Sequence, residues 1–191
     1  MKRHLNSYEK SEETVYIISA IDDYQGFLES CTLKAKSFEN VKNQIGFCGI
    51  WCGSCVAGNG ALRELTKKYE EIIEGYGLKE WAPKDFDFNE FMKGLASIRD
   101  MPLCQGCLKG DGRQNCEMRT CASNKNITDC SECDQPMGCK NLEILQKMRT
   151  GARHAGLFVK TENVNRKELI EKWTTELRNK WPCCILFLRE Q

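Results

Sequence analysis

The chain has 191 residues, 13 of them cysteine, and its 28 basic and 27 acidic residues leave a formal net charge of +1. This length predicts one or two domains, and the near-zero charge argues against a dedicated nucleic-acid binder, which is usually strongly basic on one face. No apolar run is long enough to predict a transmembrane helix. The polar N-terminus lacks the apolar core of a secretory signal, so a reducing cytoplasm is the predicted compartment.

The first quarter of the chain is predicted to carry little regular structure. Residues 1–13 are polar and charged, and we interpret them as a disordered tail. Residues 14–45 form an N-terminal extension, with a short strand over residues 15–20 (V-Y-I-I-S-A) and a helix over residues 27–42.

Two amphipathic helices are predicted over residues 61–76 and 88–98. Apolar residues recur at helical spacing in the first helix, which Gly75 and Gly77 end; they are Leu62, Leu65, Tyr69, Ile72, Ile73 and Tyr76. Asp87 and Glu90 form a capping-box pattern before the second helix, whose apolar stripe is Phe88, Phe91, Met92, Leu95 and Ile98. These helices, with Trp81 between them, are predicted to form the hydrophobic core.

The segment over residues 101–139 contains almost nothing that could build a core. It has no aromatic residue and no valine, and only seven apolar side chains besides its cysteines. So few groups cannot offset the conformational entropy of ordering 39 residues. Metal bound by thiolates is the predicted substitute, since a structural zinc site contributes roughly 10–16 kcal/mol of apparent binding free energy to folding.

Ten cysteines are the predicted metal ligands: Cys48, Cys52, Cys55, Cys104, Cys107, Cys116, Cys121, Cys130, Cys133 and Cys139. Three C-x2-C pairs occur among them, and such turns direct two sulfurs at one tetrahedral ion. The two histidines, His4 and His154, lie outside the cluster, so the sites are all-sulfur and select zinc or iron–sulfur clusters. We expect about two zinc ions, with two spare thiols or with sites of mixed ligation.

Five basic residues lie between or beside these cysteines and are either thiolate-compensating or ordinary surface charge: Lys109, Arg113, Arg119, Lys125 and Lys140. The spacing of Cys48, Cys52 and Cys55 also occurs in radical-SAM enzymes. Those enzymes usually have an aromatic residue before the third cysteine, where this chain has Ser54. The following residues predict helices and loops instead of a repeated βα barrel, which argues against radical chemistry.

The remaining residues, 146–191, are predicted to form a C-terminal helical extension. A helix begins near Leu142 and is predicted to stop at Gly151. Asn165 and Glu168 cap a last helix, which ends before Pro182. Residues 183–188 (C-C-I-L-F-L) are a buried strand or a docking tail, and the vicinal Cys183–Cys184 pair is interpreted as two buried thiols.

Several motifs together resemble the family called "domain of unknown function 3795", small cysteine-rich prokaryotic proteins. F-C-G-I-W-C-G-S-C at residues 47–55 is similar to the family's opening C-G-x-x-C-x-x-C. C-Q-G-C at 104–107, C-E-M-R-T-C at 116–121 and the lysine-containing approach to C-S-E-C at 130–133 follow in the family's order. The resemblance covers residues 46–145 and implies a metal-binding domain without an assigned activity.

The predicted fold is therefore a small, α-rich, metal-stabilised domain with irregular cysteine-rich loops and few short strands. No catalytic set and no nucleotide-binding loop is recognisable in the sequence, so we expect a non-catalytic zinc module with an interaction or scaffold role toward another protein. An iron–sulfur protein for electron transfer or cluster supply is the alternative, although no ferredoxin-type C-x2-C-x2-C run is present. Zinc-dependent nucleic-acid binding is a lesser alternative, because acidic residues interleave with the basic ones.

Overall fold

The computed structural model describes residues 35–180, and this part of the chain is helix-rich. It contains seven α-helices: α1 (Ala35–Val41), α2 (Val56–Asn59), α3 (Ala61–Gly75), α4 (Phe88–Arg99), α5 (Glu117–Asn124), α6 (Leu142–His154) and α7 (Arg166–Lys180). Single 3-10 turns lie at Cys52–Ser54, Leu78–Trp81, Cys107–Lys109 and Cys130–Glu132. Within these residues, extended pairing is limited to two isolated antiparallel bridges, Ile45 with Trp51 and Ile50 with Val159. The predicted α-rich architecture with few strands is confirmed, whereas its stabilisation by metal stays a prediction.

Several sequence predictions lie outside the described residues. They are the tail at 1–13, the strand at 15–20, the first part of the helix over 27–42 and the apolar segment at 183–188. Helix α1 corresponds to the last part of that predicted helix. None of the seven helices combines the length and the apolar character needed to cross a bilayer.

The hydrophobic core is built around the buried Trp51. Its indole ring stacks on Trp173 at a centroid distance of 5.8 Å and meets the edges of Phe158 at 5.8 Å and Phe38 at 6.2 Å. Ile45, Ala61, Ile170 and Leu177 complete the cluster. The indole N–H donates to the carbonyl oxygen of Lys42, so this buried donor is satisfied. The core therefore joins the loop that carries the first cysteines to α1, α3 and α7.

The prediction that α3 and α4 form the core is wrong, although both helices exist where they were predicted. Trp81 is 82% exposed, Tyr76 is 76% exposed and Ile72 is 52% exposed, and only Ile73 of the six predicted apolar positions on α3 is buried. No residue of α4 is buried. The two helices pack mainly on each other, with Tyr69 and Phe91 ring centroids 6.5 Å apart. Helical periodicity finds an apolar face, but it does not tell whether another element covers that face.

Two predicted helix starts are confirmed by capping contacts. The Asp87 carboxylate accepts a hydrogen bond from the Glu90 N–H at 3.0 Å, and the Asn165 side-chain oxygen accepts from the Lys167 N–H at 3.0 Å. The predicted stop at Gly151 is wrong, because α6 continues to His154. A glycine inside a helix costs only about 1 kcal/mol, and burial of Ala152 in the extra turn opposes that cost.

Candidate metal centre

Cys48 lies on a tight loop over residues 45–51 that several distant groups hold in place. The guanidinium Nε of Arg149 donates to the Cys48 carbonyl oxygen at 2.9 Å, and Arg166 donates to the Ile45 carbonyl oxygen at 2.8 Å. The Lys160 N–H donates to Gly49 and the Cys130 N–H donates to Phe47, each at 2.8 Å to the carbonyl oxygen. The backbone of this loop is thus fixed by contacts to α6, to α7 and to the segments that contain Cys130 and Lys160.

Two C-x2-C turns face each other beside this loop. The first is the 3-10 turn at Cys52–Ser54, closed by a hydrogen bond from the Cys55 N–H to the Cys52 carbonyl oxygen. The second begins at Cys104, whose N–H donates to the Ala57 carbonyl oxygen at 3.1 Å and so attaches this turn to α2. A Cβ on Gly106 would lie 3.5 Å from the Cys52 sulfur and would collide with the Gln44 side chain. Only glycine allows this approach, at a φ of +85°.

We call the four cysteines of these two turns the first cysteine group: Cys52, Cys55, Cys104 and Cys107. Burial raises the pKa of the Cys52 thiol to about 12, and charge repulsion from neighbouring thiolates adds to the rise; those neighbours are Cys107, Cys55, Cys104 and Cys48. Cys52 therefore favours its protonated thiol when no cation is near. A bound cation would reverse this preference, since metal coordination deprotonates thiols.

A second set of four thiols lines one cavity of about 410 Å³. We call it the second cysteine group: Cys121, Cys130, Cys133 and Cys139. Helix α5 supplies the first, the 3-10 turn at Cys130–Glu132 positions the next two, and the last precedes α6. Burial raises the pKa of Cys130 to about 11 even though the Arg149 guanidinium opposes the rise. Repulsion by Cys48, Cys139 and Cys121 adds to it.

The remaining predicted ligands are Cys48 and Cys116, and Cys48 interacts electrostatically with members of both groups. Burial raises the pKa of Cys48, and the thiolates of Cys107 and Cys116 repel it. Cys48 in turn acts on Cys130 of the second group. All ten predicted cysteines are partly buried free thiols. As placed within residues 35–180, however, no three cysteine, histidine, aspartate or glutamate side chains form a group that could hold an ion. Their role as ligands stays a prediction.

The five basic residues considered from the sequence have different surroundings. The Lys125 ammonium donates to the Cys133 sulfur at 3.2 Å, and this hydrogen bond raises the pKa of Lys125. Lys140 lines the same cavity. By contrast, Lys109 bonds the Asn40 side-chain oxygen and Arg119 bonds backbone carbonyl oxygens of residues 110, 111 and 113. Within residues 35–180, Arg113 donates a hydrogen bond to no sulfur.

A buried ion pair beside the second group was missed by the sequence interpretation. The Lys160 ammonium lies 2.8 Å from the Asp129 carboxylate, and the two side chains are 2% and 0% exposed. Burial alone would raise the pKa of Asp129, but hydrogen bonds from Lys160 and Ser131 outweigh it and leave that pKa below its usual range. Asp129 directly precedes Cys130, and the Lys160 N–H donates to the Gly49 carbonyl oxygen. The pair therefore connects the turn that contains Cys130 to the loop that contains Gly49. An aspartate directly before a C-x2-C turn was the available signal, while nothing in the sequence marked Lys160.

Comparison with known proteins agrees with the motif series. A family model described as "Protein of unknown function (DUF3795)" matches residues 44–144, a range that contains all ten cysteines. No curated protein and no solved structure matches the chain. Because the family model covers more than half of its length, this chain belongs to the DUF3795 family of proteins of unknown function.

Proposed function

We propose that this protein is a non-catalytic metal-binding module, with zinc held by the first cysteine group. The observation that carries this proposal is the meeting of two C-x2-C turns, with the backbone of one against the sulfur of the other at Gly106. Four thiols from two such turns match the donor set of structural zinc sites, which bind tetrahedrally with Zn–S bonds of about 2.3 Å. The proposed ligands are Cys52, Cys55, Cys104 and Cys107.

Zinc bound there would neutralise mutually repelling thiolates and connect α2 to the loop after α4. Three features of the chain position the proposed ligands. They are the 3-10 turn at Cys52–Ser54, the hydrogen bond from the Cys104 N–H to the Ala57 carbonyl oxygen, and the positive φ angle of Gly106. Binding free energy of roughly 10–16 kcal/mol exceeds what the few apolar side chains of the cysteine-rich segment offer. The proposed role of the metal is therefore structural.

The proposed partner is another protein, in the cytoplasm. Exposed apolar side chains on α3 and on the turn after it support a protein partner, among them Ile72, Tyr76 and Trp81. Acidic and basic residues interleave along α3 and α4, which favours neither nucleic acid nor an anionic lipid surface. A gel shift of duplex DNA or RNA that weakens with salt would instead support the nucleic-acid alternative.

Elemental analysis of anaerobically purified protein tests the metal proposal. We expect zinc in the purified chain, and Cys107→Ser should lose about one zinc equivalent, because one of four thiolates is removed from the site. Cys31→Ser is the control, since Cys31 lies outside both the described residues and the family match, and it should retain the wild-type zinc content. Protein purified without any bound metal would overturn the proposal.

A further inference from the structure

We propose that the second cysteine group holds an iron–sulfur cluster instead of a single zinc ion. This inference rests on the proposed function, because it takes thiolate binding of metal as given and concerns the kind of cofactor. Two features of the described residues carry it: the cavity whose lining includes all four thiols, and the charges that line that cavity.

The size of the cavity favours a polynuclear cofactor. A mononuclear zinc site draws its four sulfurs to about 2.3 Å from one atom and so leaves no cavity between them. Here the four thiols line a cavity of about 410 Å³, more than ten times the roughly 30 Å³ that one water molecule occupies in the liquid. An iron–sulfur cluster places several iron and sulfide atoms between its cysteine ligands and therefore needs such a space.

The ligands also approach this cavity from different sides of the fold. Cys121 comes from the C-terminal half of α5, Cys130 and Cys133 flank a 3-10 turn, and Cys139 precedes α6. Apolar side chains form part of the remaining walls, including Ala122, Ile127, Leu142 and Leu145. A cluster in this position would be held by four thiolates in partly apolar surroundings, which lower its exposure to water and affect its reduction potential.

The charges lining the cavity suit an anionic cofactor. Its charged lining residues are all basic, namely Lys125, Lys140 and Arg149, and none of the described lining residues is acidic. The Arg149 Nη2 atom is buried and makes no hydrogen bond, although the Nε atom of the same side chain donates to the Cys48 carbonyl oxygen. Cluster sulfides and their cysteine sulfurs accept hydrogen bonds from such donors. A buried N–H group without an acceptor is unfavourable, and a sulfur of the cluster would supply the acceptor.

The test is anaerobic reconstitution of the apoprotein, residues 1–191, with ferric iron, a thiol reductant and sulfide, and separately with zinc. We expect a brown protein that absorbs near ~400 nm, with acid-labile sulfide and a paramagnetic signal after reduction by dithionite. Cys139→Ser should lose the chromophore and keep the zinc of the first group. Cys107→Ser should do the reverse, losing zinc and keeping the chromophore.

Arg149 offers a readout that a purely structural role would not change. Arg149→Met should leave a cluster with a lower reduction potential, because adding an electron to an anionic cluster becomes harder without the nearby positive charge. Arg149→Lys should restore much of the potential, and Arg153→Met, an exposed change on the same helix, should leave it unaltered. A potential that is the same in Arg149→Met and wild type would overturn the role of Arg149.

The outcomes separate this inference from the proposed function. Colourless protein that binds two zinc ions, one of which is lost in Cys139→Ser, would overturn the cluster and leave the zinc module standing. A chromophore that persists in Cys139→Ser but disappears in Cys107→Ser would place the cluster in the first cysteine group and so overturn the inference. Protein that binds neither iron nor zinc would overturn both proposals.

Discussion

Single residues far from the cysteines in sequence determine how the cysteine loops are held. Arg149 reaches the backbone of Cys48 across 101 positions, and Lys160 pairs with Asp129 across 31 positions. Gly106 allows one C-x2-C turn to approach the sulfur of the other. One substitution can remove each of these contacts, and we expect it to lower the free energy of unfolding.

Gly106→Ala should destabilise the protein by about 1–3 kcal/mol, because a side chain there must adopt a backbone conformation that is nearly restricted to glycine. The new methyl group would also collide with Gln44. The free energy of unfolding, measured by urea denaturation of the metal-loaded protein, checks this. Gly151→Ala is the matched control: it lies in α6 with open space around it and should stabilise slightly. Equal stability of the two variants would contradict the prediction.

Lys160→Met should lower the free energy of unfolding by about 3–5 kcal/mol, since it removes the nearest cation from the buried Asp129 carboxylate. Among the described residues, Asp129 would keep only the hydrogen bonds from Ser131 and the Arg166 guanidinium 3.9 Å away. The double variant Asp129→Leu/Lys160→Met should recover part of this loss, because it removes both buried charges. Lys147→Met breaks an ion pair with Glu143 whose side chains are mostly exposed. We expect that change to be within experimental error in the same urea titration. If Lys160→Met behaved like Lys147→Met, the buried pair would carry no stability.

At the scale of helices, α3 shows that an apolar stripe is not the same as a buried one. Neighbouring residues of this helix differ completely, because Ile72 is 52% exposed and Ile73 is 2% exposed. The aromatic side chains of the α3–α4 pair contact each other at the surface, with Phe86 and Phe91 ring centroids 5.5 Å apart. The helices themselves follow from local periodicity and capping, whereas the covered face depends on which elements lie nearby.

Ile73→Ala should destabilise the protein by about 2–5 kcal/mol, the usual range for deleting a large buried aliphatic side chain. Ile72→Ala removes the same atoms one position earlier and should change stability by no more than about 0.5 kcal/mol. Chemical denaturation of the two variants under identical metal-loaded conditions gives the comparison. Similar losses in both variants would show that the exposed face of α3 is covered in solution.

Across the whole molecule, the family-matched region shares its core with residues that lie beyond it. Trp51 belongs to the match at 44–144, while Phe158, Ile170, Trp173 and Leu177 follow it in the chain. The region called a C-terminal extension from the sequence therefore supplies half of the eight residues in this cluster. The same short segment, residues 45–55, contributes side chains to the core and to the proposed metal site.

Trp173→Ala should cost about 3–5 kcal/mol, because it deletes the ring that stacks on Trp51 and leaves a cavity. Trp81→Ala is the control, since Trp81 is 82% exposed and makes no comparable core contact. Urea denaturation followed by circular dichroism measures both without depending on the tryptophan signal. Greater destabilisation by Trp81→Ala than by Trp173→Ala would contradict this location of the core.

Removal of metal should abolish cooperative thermal unfolding of the cysteine-rich region. The proposed binding free energy of roughly 10–16 kcal/mol is comparable to the whole stability of a typical domain, about 5–15 kcal/mol. Apoprotein prepared with a chelator under anaerobic, reducing conditions should melt broadly, and addition of the metal should restore a sharp transition. An unchanged cooperative transition in verified apoprotein would contradict metal stabilisation.

The sequence by itself determined the helices α3 and α4, the caps at Asp87 and Asn165, the family, and the ten cysteines as candidate ligands. These features depend on residues within a few positions of each other or on ordered motifs, and such local patterns can be recognised without a structure. Only the tertiary structure decided that the core surrounds Trp51, that Lys160 and Arg149 hold the cysteine loops, and that the second cysteine group lines one cavity. Those contacts join segments that are far apart in the chain, by 121 positions between Arg166 and Ile45 and by 122 between Trp51 and Trp173. A periodic pattern along the chain carries no information about which distant surface a residue will meet.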